Sequence, residues 1–198
     1  MTEKEKREKG FLFNANYDEE IINELNKCND LCHQFNQIMP SDRKAQTEML
    51  KKIIGKMGKE VYVCSPFWCD YGYKTTIGDY FFANHNCQIL DGGGVTFGDH
   101  VFIAPNCTFT TAEHPLDVKQ RNEGLEVALP IKVGNNVWIG AGTIVLAGVT
   151  IGDNTVIGAG SVVTKDIPSN VIAVGVPCRV LREITEADKY KYPHYTEE

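Results

Sequence analysis

A six-residue repeat runs through the second half of the chain. Aliphatic residues follow each other at intervals of six without a slip, at Val133, Ile139, Val145, Ile151, Ile157 and Val163. The next position is most often glycine, and the fifth is small or β-branched. A helix of about 3.6 residues per turn cannot keep such a period on one face, and a simple strand alternates with period two. A coil of three short strands joined by tight corners does keep it, because each unit forms one wall and one corner.

The same spacing continues upstream in a looser form. The aliphatic and aromatic positions are Ile77, Ala83 and Ile89, then, after a two-residue slip, Phe97, Ile103 and Phe109. We therefore predict a mainly β fold, a parallel β-helix that starts near residue 60. The polar stretch of about residues 115–132 contains Pro130 and is predicted to leave the coil as a loop. A long loop inside a regular solenoid is more often functional than accidental.

The segment from about Asp18 to Gly58 has the periodicity of helices. Apolar residues recur at three- and four-residue spacing, and Pro40 breaks the pattern. A second helix is predicted to open at Ser41 and to end at Gly58. The predicted organisation is a helical segment packed on the coil (1–59), the β-helix (60–181) and a C-terminal tail (182–198).

Composition limits the possible partners and the compartment. The formal charge of -6 and the pI near 5.4 provide no basic surface for nucleic acid, and no apolar run is long enough for a membrane span. The cysteines are odd in number, scattered and without CxxC pairs, which argues against a disulfide framework and against a zinc cluster. We expect a cytoplasmic protein without a metal, in which the cysteines are small buried hydrophobes.

The repeat GNNVWIGAGTIVLAGVTIGDNTVIGAGSVVTKDIPSNVIAVGVPCRV resembles that of the hexapeptide-repeat acyltransferases. The N-terminal TEKEKREKGFLFNANYDEE, the helical pair, CDYGYKTTIGDYFFANHNCQILD and TFTTAEHPLD are similar to the maltose and galactoside O-acetyltransferase branch. The resemblance implies a left-handed coil, a homotrimer, acetyl-CoA as co-substrate and a sugar hydroxyl as acceptor. A narrow prism offers few walls, so a groove between two protomers would enclose the CoA arm better than one flat face.

Three residues match the family's catalytic positions. Acetyl transfer to an alcohol requires a base for the hydroxyl proton and donors for the tetrahedral oxyanion. His114 in TAEHPLD matches the catalytic histidine, which would take that proton and return it to the leaving thiolate. Glu126 in GLEVALP matches an acidic position that could orient the imidazole, and a solvated surface glutamate is the alternative. Asn84 in FFANHN matches a residue beside the acceptor, and a corner asparagine is the alternative.

The resemblance also implies acceptor positions at Asp70, Phe82 and Asp91, although either aspartate could instead be a corner residue. The galactoside branch has Ser in place of Asp70, Tyr in place of Phe82 and a second acidic residue in place of Gly92. The acceptor pocket is therefore closer to that of the maltose branch, and the identity of the sugar does not carry over.

CoA carries phosphates, which favour arginine and lysine, and an extended arm that pairs with exposed backbone. The residues that match the family's cofactor positions are Ala141, Ala159, Thr164, Lys165, Arg179 and Arg182. An ordinary solvated surface is the alternative for the basic ones.

Three other functions stay open at this stage. The same fold could acetylate an amino sugar, an amino acid or an antibiotic, or it could be a non-catalytic assembly module. His85, His100 and His114 on consecutive coils also invite comparison with the three imidazole ligands of β-helical carbonic anhydrases. We disfavour that zinc site because two of that family's ligands lie close together in sequence, and these do not.

Overall fold

The chain winds into a three-walled prism of parallel strands closed at one end by helices. The computed structural model describes residues 1–193, so the last five residues of the predicted tail lie outside the described part. The mainly β fold, the parallel β-helix, the helical pair and the extruded segment are confirmed. No helix within residues 1–193 is both long and apolar enough to cross a lipid bilayer.

Strands are numbered along the chain. The first wall contains Lys56–Met57 (β2), Thr75–Ile77 (β5), Val95–Phe97 (β8), Ile131–Val133 (β13) and Thr150–Ile151 (β16). The second wall contains Tyr62–Val63 (β3), Phe82–Ala83 (β6), Phe102–Ile103 (β9), Trp138–Ile139 (β14), Val156–Ile157 (β17), Val171–Val174 (β19) and the antiparallel Arg179–Glu183 (β20). The third wall contains Phe67–Cys69 (β4), Cys87–Leu90 (β7), Thr108–Thr110 (β10), Ile144–Val145 (β15) and Val162–Val163 (β18).

The six-residue positions form the core of the prism. Every predicted inward residue from Ile77 to Val163 is at most 3% exposed. Equivalent residues pair directly between successive rounds, as Phe97 does with Ile77 and Val133. Burial of a Val, Ile or Phe side chain contributes about 1.5–3 kcal/mol, so the stacked ladder stabilises the coil along its whole length.

Departures from the period occur at one of the three corners. The first corner joins the first wall to the second (residues 58–61, 78–81, 98–101, 134–137 and 152–155), and the second corner joins the second wall to the third (84–86, 104–107, 140–143 and 158–161). The third corner joins the third wall back to the first (70–74, 91–94, 111–130, 146–149 and 164–166). Only there does the inward spacing lengthen, to eight between Cys69 and Ile77 and between Ile89 and Phe97.

The extruded segment at the third corner is an ordered hairpin, not an irregular loop. Ala112–Glu113 (β11) pairs antiparallel with Leu125–Ala128 (β12), and Val118–Asn122 (α4) lies between them. The other edge of β12 pairs with Phe13–Asn14 (β1) from the N-terminal segment. The excursion ends before β13, two residues earlier than predicted, because Ile131 is already paired in the first wall.

Helices close the open end of the prism. Glu3–Glu8 (α1) was not predicted, and Glu19–Asn36 (α2) and Arg43–Ile53 (α3) form the predicted pair. The cap of α3 is Asp42, whose side chain accepts from Ala45 N, so the prediction of Ser41 was wrong. The helix α3 also ends earlier than predicted, at Ile53 rather than at Gly58.

The early end of α3 reflects the start of the coil. β2 already pairs with β5 in the first wall, so the coil begins at Lys56 rather than near residue 60. α2 packs against β4, where the Phe35 and Phe67 rings meet edge to face with centroids 6.2 Å apart. Asn36 fixes the contact, since its side chain accepts from Phe67 N at 2.8 Å and donates to Phe67 O at 3.0 Å. The helical pair thereby covers the first round of the coil.

Candidate active site

His114 follows β11 on the extruded hairpin of the third corner, and its two ring nitrogens have different neighbours. Nδ1 lies 3.3 Å from the Leu125 carbonyl oxygen. Because a carbonyl can only accept, this contact assigns the ring proton to Nδ1 and leaves a lone pair on Nε2. Nε2 lies 4.0 Å from Glu126 Oε2, and the side chain of His114 is 50% exposed whereas that of Glu126 is 17% exposed. The unprotonated nitrogen is therefore next to a carboxylate and open to solvent.

Glu126 lies in the middle of the hairpin sheet, on β12 and opposite Phe13 of β1. Burial raises the pKa of its carboxyl, while the positive charge of Arg7, and that of His114 when it is protonated, act in the opposite direction. The predicted orienting role falls to the Leu125 carbonyl, because that group holds Nδ1. Glu126 instead faces the nitrogen that carries the lone pair.

Asp70 stands at the third corner directly after β4. It lines an open cavity of about 330 Å³ together with Trp68, Gln88 and Leu90. Burial raises the pKa of Asp70 to about 7, and the negative charges of Asp91 and Glu126 act in the same direction. The third corner thus gathers carboxyl groups that repel one another, in an environment that disfavours their ionised forms.

Asp91 is fully buried beneath this corner. Its Oδ1 accepts from Tyr71 N and its Oδ2 accepts from Thr75 Oγ1, both at 2.8 Å. The carboxylate has no exposed surface to offer an acceptor, so of the two readings of Asp91 the corner residue is the one that the geometry supports. It ties together two successive rounds of the coil.

Phe82 lies on the second wall, and Asn84 follows it at the second corner. Asn84 Oδ1 accepts from His85 N at 2.8 Å, which is the contact of a corner residue, while Nδ2 donates no hydrogen bond within residues 1–193. The ring of Phe82 stacks on that of Tyr62, with centroids 5.5 Å apart and an interplanar angle of 18°. Asn84 thus has one group committed to the corner and another free to bind.

Within one chain, Asn84 and His114 are not brought together. The strand Cys87–Leu90 runs between the second and third corners, and a strand of four residues spans roughly 13 Å. The predicted cofactor residues divide in the same way, with Ala141 and Ala159 at the second corner and Thr164 and Lys165 at the third.

The two predicted cofactor arginines differ in their availability. Arg182 forms a bidentate pair with Asp188, at 2.7 and 2.6 Å, so its guanidinium is already committed. Arg179 donates to its neighbouring carbonyl at Cys178 and faces no carboxylate in the described part of the chain. Of the two, Arg179 has the freer charge.

Sequence reasoning missed Arg7 and one side-chain cluster. Arg7 is buried with its guanidinium 4.3 Å above the ring of Tyr71, and it donates to Tyr73 Oη at 3.0 Å. It sits in a charged run that is typical of a solvated surface, so no pattern marked it. The prediction that the cysteines are buried is confirmed, but the meeting of Cys28, Cys32 and Cys69 in the core was not anticipated. The only advance signal was the four-residue spacing of two of them on one helix.

The three histidines that invited a zinc site lie apart. His85 is at the second corner, His100 at the first and His114 at the third. Within one chain these three side chains leave the prism in three directions, so they cannot share one metal ion.

Known proteins match over nearly the whole chain. The family models "Maltose acetyltransferase hexapeptide capping motif" and "Bacterial transferase hexapeptide (six repeats)" match residues 6–58 and 130–165. A galactoside O-acetyltransferase of Escherichia coli (strain K12) is 47% identical over 162 residues, 82% of this chain and 80% of its own length.

Two solved structures are also similar. A maltose O-acetyltransferase from Clostridium difficile 630 has a TM-score of 0.91 and 47% identity, over 94% of this chain and 99% of its own. A galactoside acetyltransferase in complex with coenzyme A has a TM-score of 0.93 and 42% identity, over 100% of this chain and 99% of its own. The three-walled coil with its capping helices defines the class of hexapeptide-repeat acyltransferases. The chain belongs to the maltose and galactoside O-acetyltransferase family of that class and is an acetyltransferase.

Proposed function

We propose that the protein transfers the acetyl group of acetyl-CoA to a hydroxyl of a sugar such as maltose, glucose or a galactoside, with His114 as general base. The observation that carries the proposal is the contact of Nδ1 with the Leu125 carbonyl, which leaves the lone pair of Nε2 exposed. The names of the E. coli and C. difficile relatives support a sugar, and the solved galactoside acetyltransferase with bound coenzyme A supports the donor. The seven free thiols favour a reducing compartment, the cytoplasm.

The reaction needs no covalent enzyme intermediate. Nε2 of His114 takes the proton of the acceptor hydroxyl while the oxygen forms a bond to the thioester carbonyl carbon. When the tetrahedral intermediate collapses, the C–S bond breaks and the proton passes from Nε2 to the departing sulfur. Glu126, 4.0 Å from Nε2, stabilises the imidazolium that exists between these two steps.

The cavity beside Asp70 suits a sugar. Trp68 offers an aromatic face for the apolar side of a sugar ring, and Gln88 and Asp70 offer hydrogen bonds to hydroxyls. Gln88 can both donate and accept, as a hydroxyl requires of its partners. Asp70 is half-buried and makes no ion pair in residues 1–193, so it is free to accept from the substrate.

We further propose a homotrimer with each site between two protomers. The outer face of the second wall is an apolar ladder of Tyr62, Phe82, Phe102, Trp138, Val156 and Ile172. The outer face of the first wall carries only Lys and Thr, at Lys56, Thr76, Thr96, Lys132 and Thr150. Trp138 is 54% exposed in one chain, and such a stripe is typical of a surface that a second copy covers.

The trimer would also bring together Asn84 and His114, which lie apart within one chain. A ring of three would set the second corner of one protomer, with Asn84 and Ala159, against the third corner of the next, with His114 and Lys165. The small side chains at Ala141 and Ala159 leave room for the pantetheine arm along the wall. Lys165, exposed and unpaired within the described residues, and Arg179 would then meet the CoA phosphates.

The test measures thiol release from acetyl-CoA with maltose, glucose, galactosides, amino sugars and serine. We expect sugar-dependent release that falls by roughly 100-fold or more in His114→Ala. His100→Ala is the matched control, because that histidine lies at the first corner, and it should retain full activity. Turnover with amines alone would replace the sugar with an amino acceptor. No turnover, together with no acetyl-CoA binding by calorimetry, would indicate a non-catalytic module.

A further inference from the structure

Three cysteines converge where the helices close the prism. Cys28 and Cys32 lie one turn apart on α2, and Cys69 ends β4 in the first round of the coil. Cys69 Sγ is 3.6 Å from the Sγ atoms of both Cys28 and Cys32, and all three sulfurs lie within 4.8 Å of one another. All three side chains are buried. The cluster thus joins two elements that are far apart in the sequence.

The spacing fits a single ion bound by three sulfurs. Zn–S bonds of about 2.3 Å in a tetrahedral site hold the sulfurs about 3.8 Å apart. A carbonyl oxygen faces the same point, since Cys69 O lies 3.4 Å from Cys28 Sγ and 4.0 Å from Cys32 Sγ. Three thiolates and one oxygen would complete a four-coordinate site. Because Cys69 is equidistant from the other two sulfurs, the geometry favours a shared ion over either single disulfide.

Access to the cluster is also suitable. Cys28 lines a cavity of about 220 Å³ whose charged lining is Lys27, Lys52 and Glu24, two positive groups and one negative group. Cys69 lines the separate cavity that holds Asp70, so the cluster lies between two openings.

The other cysteines lack this arrangement. Cys64, Cys87, Cys107 and Cys178 are also buried free thiols. Within residues 1–193, Cys28, Cys32 and Cys69 form the only group of three His, Cys, Asp or Glu side chains with metal-ligand spacing.

We propose that Cys28, Cys32 and Cys69 form a trithiolate site for a thiophilic divalent cation, with Zn²⁺ as the biological ion. On binding, three metal–sulfur bonds form and three S–H protons pass to solvent, with no change of oxidation state. A site with all positions filled by protein is a structural one. The ion would fasten α2 to the first round of the coil and fix the backbone beside Asp70. The proposal is independent of the acceptor and of the role of His114.

The experiment uses the full-length chain purified under reducing conditions. Elemental analysis should find about one zinc per chain, and titration of the metal-free protein with Cd²⁺ should produce a sulfur-to-metal charge-transfer band that saturates at one equivalent. Cys32→Ser and Cys69→Ser should lose the band, and Cys28→Ser should weaken Cd²⁺ binding at least 10-fold. Cys87→Ala is the matched control, a fully buried cysteine on the neighbouring strand of the same wall, and it should keep the band.

A second measurement needs no variant, in case a serine prevents folding. Zn²⁺ should slow the alkylation of Cys28, Cys32 and Cys69 in the wild type and leave that of Cys178 unchanged. Two results would overturn the proposal: no zinc, no Cd²⁺ band and no protection in protein whose thiols are reduced, or a disulfide between Cys69 and either partner in protein purified without reductant. The second result would identify a redox pair.

Discussion

The first and third corners lie at opposite ends of the first-wall strands, but they use their polar residues differently. At the first corner, four stacked side chains each accept a backbone N–H from the preceding round: Asp79 from Lys59 at 3.0 Å, Asp99 from Asp79 at 2.7 Å, Asn135 from Asp99 at 2.8 Å, and Asp153 from Asn135 at 2.6 Å. At the third corner, burial raises the pKa of both Asp70 and Glu126, and Asp70 also feels the charge of its acidic neighbours.

The difference shows where a repeat protein can hold reactive groups. The first corner satisfies these four acceptors within the coil, so they contribute to stability rather than to reactivity. The third corner departs from the six-residue period, and its longer segments carry carboxyls and an imidazole that the ladder does not use. Carboxyl groups whose pKa values are shifted in this way are typical of functional sites.

The largest expected effect tests whether the third corner needs the second corner of a neighbouring protomer for catalysis. His114→Ala and Asn84→Ala should each lose roughly 100-fold or more in kcat. If each site takes His114 from one protomer and Asn84 from the next, chains of the two variants unfolded together, mixed in equal amounts and refolded should regain about a quarter of wild-type activity. That fraction follows because each of the two residues is intact in half of the random pairings. The measurement is thiol release by the refolded mixture.

The mixing experiment has clear contrary results. If both residues acted within one chain, no chain in the mixture would hold an intact pair, and activity would stay at the level of the single variants. Wild-type chains that are unfolded and refolded in the same way are the control for refolding, and each variant refolded alone gives the baseline. A single-chain mass by light scattering would contradict the assembly directly.

A smaller effect is expected at the first corner. Asp99→Ala removes the acceptor of Asp79 N, and the loss of one exposed hydrogen bond should lower the free energy of unfolding by about 1 kcal/mol. The kcat should not change, because Asp99 lies away from the third corner. Asp99→Asn retains the accepting oxygen and should restore the stability, as measured by denaturant unfolding. A large fall in kcat for Asp99→Ala would mean that the two corners are not independent.

The core of the coil was predictable because burial dictates the residue type at every sixth position. Val133 to Val163 kept their phase, and so did the looser positions from Ile77 to Phe109. The N-terminal helix α1 was missed because its charged run looks like a solvated surface, although Arg7 within it is buried against Tyr71.

The details of the site were less accessible from the sequence. The group that orients His114 is the main-chain carbonyl of Leu125, which any residue would supply, so no residue type could reveal it. The meeting of Cys69 with Cys28 depends on how α2 lies across the coil, which local periodicity does not encode. Asp91 had two readings, and only its burial separates them.

The smallest expected effect concerns the stability cost of Glu126. Because burial raises the pKa of its carboxyl above the unfolded value near 4.5, the folded state binds the proton more tightly than the unfolded state. The wild type should therefore lose stability as the pH rises from 4.5 through the folded pKa. Glu126→Gln cannot ionise, so its Tm should exceed that of the wild type at pH 8, and the difference should shrink as the pH falls towards 4.5. An equal difference in Tm at both pH values would mean that the carboxylate is not penalised by its surroundings. A lower kcat in the same variant would show that the third corner retains this charge for the reaction, at the expense of stability.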